Sequence, residues 1–478
     1  MQLTGLLGLA PSLPVFGRNG PPSDDARPSD YRLEIAPVTL DLSPSHHVRT
    51  VAYNGQAPGP LLRFKEGRPV TIEVANRSDR PEVVHWHGLF IPPDVDGALE
   101  EGTPPIAANA SARYTFAPRP SGFRWYHTHT MAMNDLTRAQ YGGQHGFLMI
   151  EPRDDPARYD GEFFVALHDW DGHLLASDDG AMNPGYTVAT INGKVMGHGE
   201  PLRVKAGQTI LLHVLNSSPT EVHWVALAGH RLQVIALDGN AVPSPQTVNM
   251  IRLAPAERAC VLVEMNNPGV WVLGEVRKHV QALGMAIALE YENRSGNPVW
   301  TQPPELVWNY AQFARAQASG SHADDANAAN PPGADASAES PIVVPLVFES
   351  KFRGHGAMER WTINGASYPD ARVAPLIRGR RYRLQFVNRS IDDHPVHLHR
   401  HSFELRSLGV PLSGARNVAG APGATPADIH GIIKDVVLVY ANTRTDVEFT
   451  ADNPGASLFH CHQQNHMDLG FMLLLDYA

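Results

Sequence analysis

The chain has 478 residues, 41 of them glycine and 40 proline, and a formal net charge of −10. It is too long for one hydrophobic core and predicts about three domains, while its acidic balance, with no basic stripe, excludes a nucleic-acid backbone as the main partner. No run reaches the roughly 18 apolar residues that cross a bilayer, and two cysteines exclude a disulfide framework.

The opening MQLTGLLGLAPSLPVFG is apolar but lacks the positive n-region of a signal peptide. It reads either as the tail of a truncated export signal or as a mobile N-terminus. Beyond it, the glycine and proline content predicts short strands and frequent turns. LRFKEGRPVTIEVANRS (62–78) is the first of three segments in one frame, followed by LRVKAGQTILLHVLNSS (202–218) and LIRGRRYRLQFVNRS (376–390). Each has a glycine nine residues before an asparagine: Gly67 and Asn76, Gly207 and Asn216, Gly379 and Asn388. Apolar residues alternate between them (Val70, Ile72, Val74; Ile210, Leu212, Val214; Tyr382, Leu384, Phe386), the period of a half-buried strand. The fold class expected is all-β, with β-sandwich domains at 1–155, 156–295 and 342–478 and a linker or surface loop at 296–341. Within the loop, Ala314 to Pro341 is rich in Ala, Asp, Asn, Gly and Pro.

The repeat then locates the histidines, of which the chain has 24. Nine and eleven residues past the anchor asparagine stand His85 and His87 in HWHG, then Val225 and Leu227, then His397 and His399 in HPVHLHRH. Counting five and seven from the glycine before the last strand gives His127 and His129 in WYHTH (from Gly122). From Gly269 it gives Gly274 and Val276, and from Gly455 it gives His460 and His462 in HCH. The outer domains each supply two His-x-His pairs, and the middle one supplies none. Residues i and i+2 of a strand share a face, so eight imidazoles predict a metal cluster held between the first and third domains. Cys461 must point the other way and serve a second metal. His394, of opposite parity to His397 and His399, can reach it, and His466 can return through a turn. A thiolate with two imidazoles is the trigonal core of a blue-copper site.

Zinc fits poorly, because a structural zinc site closes with four ligands. His145, His168, His213, His223, His230, His279 and His401 lie outside the frame and are expected to be packed or at the surface, with His401 placed to hydrogen-bond a ligand. Cys260, in a strand pattern, is expected to be a buried, inert thiol. Met131 and Met133, with no methionine-rich run around them, are expected to pack or face solvent.

At HWHG, HTH, HPVHLH and HCHQQNH the chain resembles the bacterial, laccase-like three-domain multicopper oxidases, from about Tyr31 to Tyr477. The resemblance implies three cupredoxin-like Greek-key domains and about four copper ions per chain. His394, Cys461 and His466 would hold the type 1 copper, and His85 and His397 the type 2 copper. His87, His127 and His462 would hold one type 3 ion, and His129, His399 and His460 the other. It implies one-electron oxidation of a small reductant (a phenol, an aromatic amine or a metal ion) at the type 1 copper. Electron transfer through Cys461 and four-electron reduction of dioxygen to water at the cluster would follow. A monomer in the periplasm or secreted is expected. Asp96 in DVDG stands where the family has a carboxylate near the cluster, although a turn-capping role before Gly97 is the alternative.

Three positions depart from the family. Arg400 replaces the glycine usual after HLH, Met467 stands where several bacterial relatives have a glutamate, and the axial position beside the type 1 copper falls on Phe471, with Met472 one residue later. In a regular strand Met472 has opposite parity and points away. Among alternative functions, a cuprous or metal-ion oxidase should show a methionine-rich insertion near the type 1 site. A copper-free cell-division scaffold of the same fold should lack the ligands.

Overall fold

Three asparagines account for the repeat. Asn76, Asn216 and Asn388 are all fully buried. Each accepts from the backbone N–H of the serine two residues on, Ser78, Ser218 and Ser390, at 2.9 Å. Each also donates through Nδ2 to two backbone carbonyls: Arg80 and Ile106, Glu221 and Leu253, Asp392 and Val439. The side chain thus satisfies groups that a turn leaving a strand would otherwise bury without partners. The same turn is therefore specified three times.

The computed structural model describes residues 28–153, 159–176, 182–304, 306–315, 339–351, 360–413 and 429–478. The opening segment and most of Ala314 to Pro341 lie outside them. Strands make up 51% of the chain and helices 6%, so the architecture is all-β. Each anchor strand, Val70–Asn76, Thr209–Asn216 and Arg381–Asn388, pairs parallel with the long strand that opens its unit and antiparallel with a later one. Its alternating apolar residues face the core and are buried. A second sheet closes each sandwich, and in the outer units it carries the histidines. It contains Val84–His85 and Gly122–Thr128 in the first unit, and His394–Leu398 and Ser457–Cys461 in the third. No helix among the described residues is long and apolar enough to cross a membrane.

Two expectations need correction. The 296–341 segment is not all loop. Val299 bonds back to Val270 and Val272, and Trp308, Tyr310 and Phe313 are buried around the 3-10 turn Tyr310–Phe313. The polar composition further along the segment masked these three aromatics. The frame also slips by one in the middle unit. His85 pairs with His127 and His397 with His460, but Val225 pairs with Glu275, not Gly274. A one-residue shift turns each side chain to the other face, so the facing position belongs to Glu275.

Where the three units meet, six charged side chains are almost completely buried: Arg124, Arg258 and Lys434 against Asp238, Glu257 and Asp435. Arg258 grips Asp435 in a two-pronged pair at 2.6 and 2.7 Å, and Lys434 lies 2.9 Å from Asp238 and 3.1 Å from Glu257. Arg124 donates to the Asp238 carbonyl. Tyr310 of the buried strap donates to Glu257, and its ring lies 4.8 Å from the Lys434 ammonium.

The asparagine lock is testable in the middle unit. Asn216→Ala strands one N–H and two carbonyls, each costing about 1–3 kcal/mol. The apparent unfolding midpoint should fall by roughly 5–10 °C in a scanning calorimeter; an unchanged midpoint would show that the turn is held by other contacts.

Candidate metal centre

Cys461 ends the strand Ser457–Cys461, opposite Val396. Its Sγ lies 3.7 Å from His394 Nδ1 and 3.5 Å from His466 Nδ1, and the two nitrogens are 3.1 Å apart. His394 Nε2 bonds Ser390 Oγ at 2.8 Å, which turns Nδ1 toward the sulfur. The serine of the asparagine lock thus also aims a histidine. His466 comes from the short helix Gln464–Asp468. Burial pushes the Cys461 thiol up and holds His394 well below the usual imidazole range and His466 at about 3. Both rings are therefore neutral, and a metal must displace only the thiol proton. Trp361 packs over both rings at 4.7 and 4.4 Å, and Phe471 lies 4.8 Å from His394. Backbone bonds from Cys461 N to Phe471 O and from Phe471 N to His466 O fix the phenyl ring beside this group. Met472 packs elsewhere, with Ala98, Leu458 and Met467.

On the other face of the same strand the structure brings all eight predicted cluster histidines into one buried space. His129, His399 and His460 form one group, with Nε2 of His460 3.4 Å from His129 and 3.1 Å from His399. His87, His127 and His462 surround a second point, with ring centroids 5.2–5.6 Å apart. The ring centroids of His85 and His397 are 5.7 Å apart, with His85 stacked on His399 at 4.0 Å and His397 on His87 at 3.8 Å.

The outward nitrogens are anchored. Nδ1 of His85, His127, His397 and His460 each meets a backbone carbonyl, of Asp96, Thr128, Asp435 and Cys461 respectively. His399 Nδ1 meets the Asp96 carboxylate at 2.9 Å. His87 is reversed: Nε2 meets Asp435 Oδ1 at 3.1 Å and Nδ1 faces inward. An outer acceptor fixes which nitrogen keeps its proton and leaves the inner lone pair for a metal. The inner Nε2 atoms of His85 and His397, and both nitrogens of His462, are buried with no hydrogen-bond partner. Polar atoms orphaned in this way call for a ligand. Burial, then the neighbouring rings, lowers the basicity of His87, His127, His129, His399, His460 and His462. Neutral imidazoles around a thiolate site are a donor set that suits copper.

Asp96 ends the short helix Pro93–Asp96 and is fully buried, and its Oδ2 lies 3.1 Å from His85 Nδ1 and 2.9 Å from His399 Nδ1. Gly97 follows at φ +99°, where an added Cβ would strike the Val84 carbonyl, so only glycine lets this turn lie against the His85 strand. Sequence reasoning missed two acids. Glu101 Oε1 lies 3.4 Å from His399 Nδ1 and accepts from Leu458 N, and burial and then Asp96 push its carboxyl well up. Asp435 was signalled only by a Lys-Asp pair inside an apolar run, IIKDVVLV.

Arg400 sits at φ +62° and is buried. The left-handed region costs a non-glycine residue about 1–2 kcal/mol, and six acceptors compensate. These are the carbonyls of Ile91, Asn453, Pro454, Gly455 and Ala456, and Ser457 Oγ. Met467 is buried in apolar surroundings. His401 Nδ1 reaches the His399 carbonyl at 3.1 Å.

Cys260 is buried but not isolated. His213 Nδ1 lies 3.2 Å from its Sγ, and His213 Nε2 lies 2.8 Å from Glu162. Burial lowers the His213 pKa, but Cys260 and Glu162 more than offset it and raise it to about 9. In the middle unit His223 lies between Asp169 and Glu275 at 2.7 and 3.0 Å. The two carboxylates likewise outweigh burial and lift His223 to about 9, so the middle unit buries an imidazolium ion pair two residues before Val225, the position that matches His85 and His397.

Multicopper oxidase family models match residues 34–155, 162–292 and 345–478. The chain is 28% identical to the multicopper oxidase MmcO of Mycobacterium tuberculosis over 95% of its own length and 89% of that protein's. It is 23% identical to copper resistance protein A of Escherichia coli over 97% and 96%. Among solved structures, the multicopper oxidase Fet3p, described as functioning in iron import, superposes with a TM-score of 0.74 at 20% identity, covering 94% of this chain and 90% of that one. A laccase from Botrytis aclada gives 0.70 at 21%, covering 94% and 87%. These neighbours share the cupredoxin-like fold. With three consecutive matches spanning most of its length, the chain belongs to the multicopper oxidase family, and is a copper-dependent oxidoreductase that uses oxygen.

Proposed function

We propose that this enzyme is a laccase-like oxidase that takes single electrons from phenols or aromatic amines and passes them to dioxygen. The observation that carries the reading is the two-sided strand Ser457–Cys461. Its sulfur faces His394 and His466, while its flanking histidines face the eight-imidazole space. In this reading His394, Cys461 and His466 hold type 1 copper, and His85 and His397 hold type 2. His87, His127 and His462, and then His129, His399 and His460, hold the type 3 pair. Bound copper would supply one-electron redox chemistry at the first site and dioxygen reduction at the second.

The chain's own residues set the conditions. Cys461 is bonded directly to His460 and His462, so a single residue joins the two donor sets on each side. Asp96 holds a proton against His399 Nδ1 and keeps that ring's inner lone pair directed at its group. Asp435 does the same for the reversed ring of His87. Trp361 and Phe471 wall off water around the sulfur.

A second reading, oxidation of cuprous ion, has one observation in its favour. Met131 and Met133 are exposed, and the backbone N–H groups of Ala132 and Met133 donate to Asp468, two residues from His466. Steady-state oxidation of a phenol and of cuprous ion by one copper-loaded preparation decides between the readings. The phenol should give the larger kcat/KM. A larger value for cuprous ion, lost in Met131→Ala with Met133→Ala, would replace the first reading with the second.

The site assignments yield two further expectations. The parent should hold about four coppers per chain, and Cys461→Ser should hold about three and lose the intense blue absorption. A Cys461→Ser protein that stayed blue would sink the assignment. Phenylalanine cannot coordinate, and its apolar wall disfavours the more highly charged oxidised metal. Phe471→Met should therefore lower the type 1 reduction potential, whereas Met472→Leu should leave it unchanged. Redox titration of the two variants tests this, and the opposite pattern would make Met472 the axial ligand.

A further inference from the structure

Arg400 is a sequence departure that the proposed chemistry leaves unused, and its side chain makes bonds to six acceptors near the cluster. We propose that Arg400 is a positioning residue that sets the separation between the two halves of the histidine cluster. The proposal rests on the cluster reading above.

The six acceptors of Arg400 lie on two domains. Asn453, Pro454, Gly455, Ala456 and Ser457 form the turn that enters the strand carrying His460 and His462. The sixth, the Ile91 carbonyl at 2.9 Å, belongs to the first domain, between His87 and Asp96. Arg400 itself follows His397 and His399 directly. One side chain therefore ties together the exit from one third-domain pair, the entry to the other and the loop after the first-domain pair His85 and His87. Asn453 closes the knot, donating to the Arg400 carbonyl at 3.0 Å and to Ile91 at 3.4 Å. Next to it, Leu458 N donates to Glu101 of the first domain at 2.6 Å, and His399 N donates to Leu458 O at 2.9 Å.

The backbone points the same way. At φ +62° glycine would be free of strain, and a strained residue persists where its surroundings over-determine it. Lysine could not substitute, because a compact ammonium has three donors and no planar fork to spread over a turn. The type 1 site is outside this knot. His394 is held by Ser390, and Phe471 by Cys461 and His466; none of these bonds involves Arg400.

The test compares the parent with Arg400→Gly, which relieves the strain and removes the clamp, and with Arg400→Lys, which keeps only the charge. In copper-free protein, amide exchange at Leu458 and His399 should speed up about tenfold or more in Arg400→Gly, the scale of losing hydrogen bonds to a charged donor. Protection in the middle domain should not change. In copper-loaded protein, a chelator should strip cluster copper about tenfold faster, again on that scale, while the blue absorption and type 1 potential stay as in the parent. Arg400→Lys should resemble Arg400→Gly. Parent-like behaviour of either variant would overturn the proposal, as would a loss of protection spread evenly over all three domains. A parent that holds no cluster copper would instead overturn the proposed function, and exchange in the copper-free protein would still decide the clamp.

Discussion

Eight imidazoles share one buried space between two domains, where added charge is costly. A charged ring there would meet its neighbours across a medium that screens poorly. Burial makes His87, His127, His129, His397, His399, His460 and His462 weaker bases, the outer carbonyls and carboxylates choose which nitrogen keeps its hydrogen, and the inner lone pairs converge. This convergence depends on the strand Ser457–Cys461 lying at the right distance from Gly122–Thr128. The sandwich cores, the loop clamps and the charged junction all serve that spacing.

The middle domain offers no imidazole to the cluster, yet it is not a spacer. It contributes Asp238, Glu257 and Arg258 to a junction in which three positive and three negative side chains are buried together. Ion pairs of this kind add little net stability over an apolar core, but removing one partner leaves an uncompensated buried charge. They therefore act as a key. In the observed docking each of the six groups meets an opposite charge, and Asp435 lies against both Arg258 and His87. The Tyr310 strap extends the same key into the segment between the second and third units.

The sequence carried local information well and long-range information poorly. Alternation and the glycine–asparagine spacing made the three sandwiches legible, because both are written within a single strand. Parity made Cys461 and the four histidine pairs legible for the same reason. Asp435 and Glu101 escaped notice because their meaning comes from residues hundreds of positions away. The slip at Val225 escaped because a glycine count sees spacing and not cross-strand register. Arg400 was visible as an oddity, but its partners are backbone carbonyls, which leave no trace in residue identity.

The charged junction also bears on how such a chain is assembled during synthesis. Arg124, Asp238, Glu257 and Arg258 are made well before Lys434 and Asp435, so the first two units emerge with two positive and two negative groups at their future contact but without the third-domain partners that Arg258, Asp238 and Glu257 close on. The half-built protein likewise holds only four of the eight cluster imidazoles, those of His85, His87, His127 and His129. The complete cluster donor set does not exist until translation has passed His462, so the order of the genetic message sets the earliest moment at which the cluster can fill.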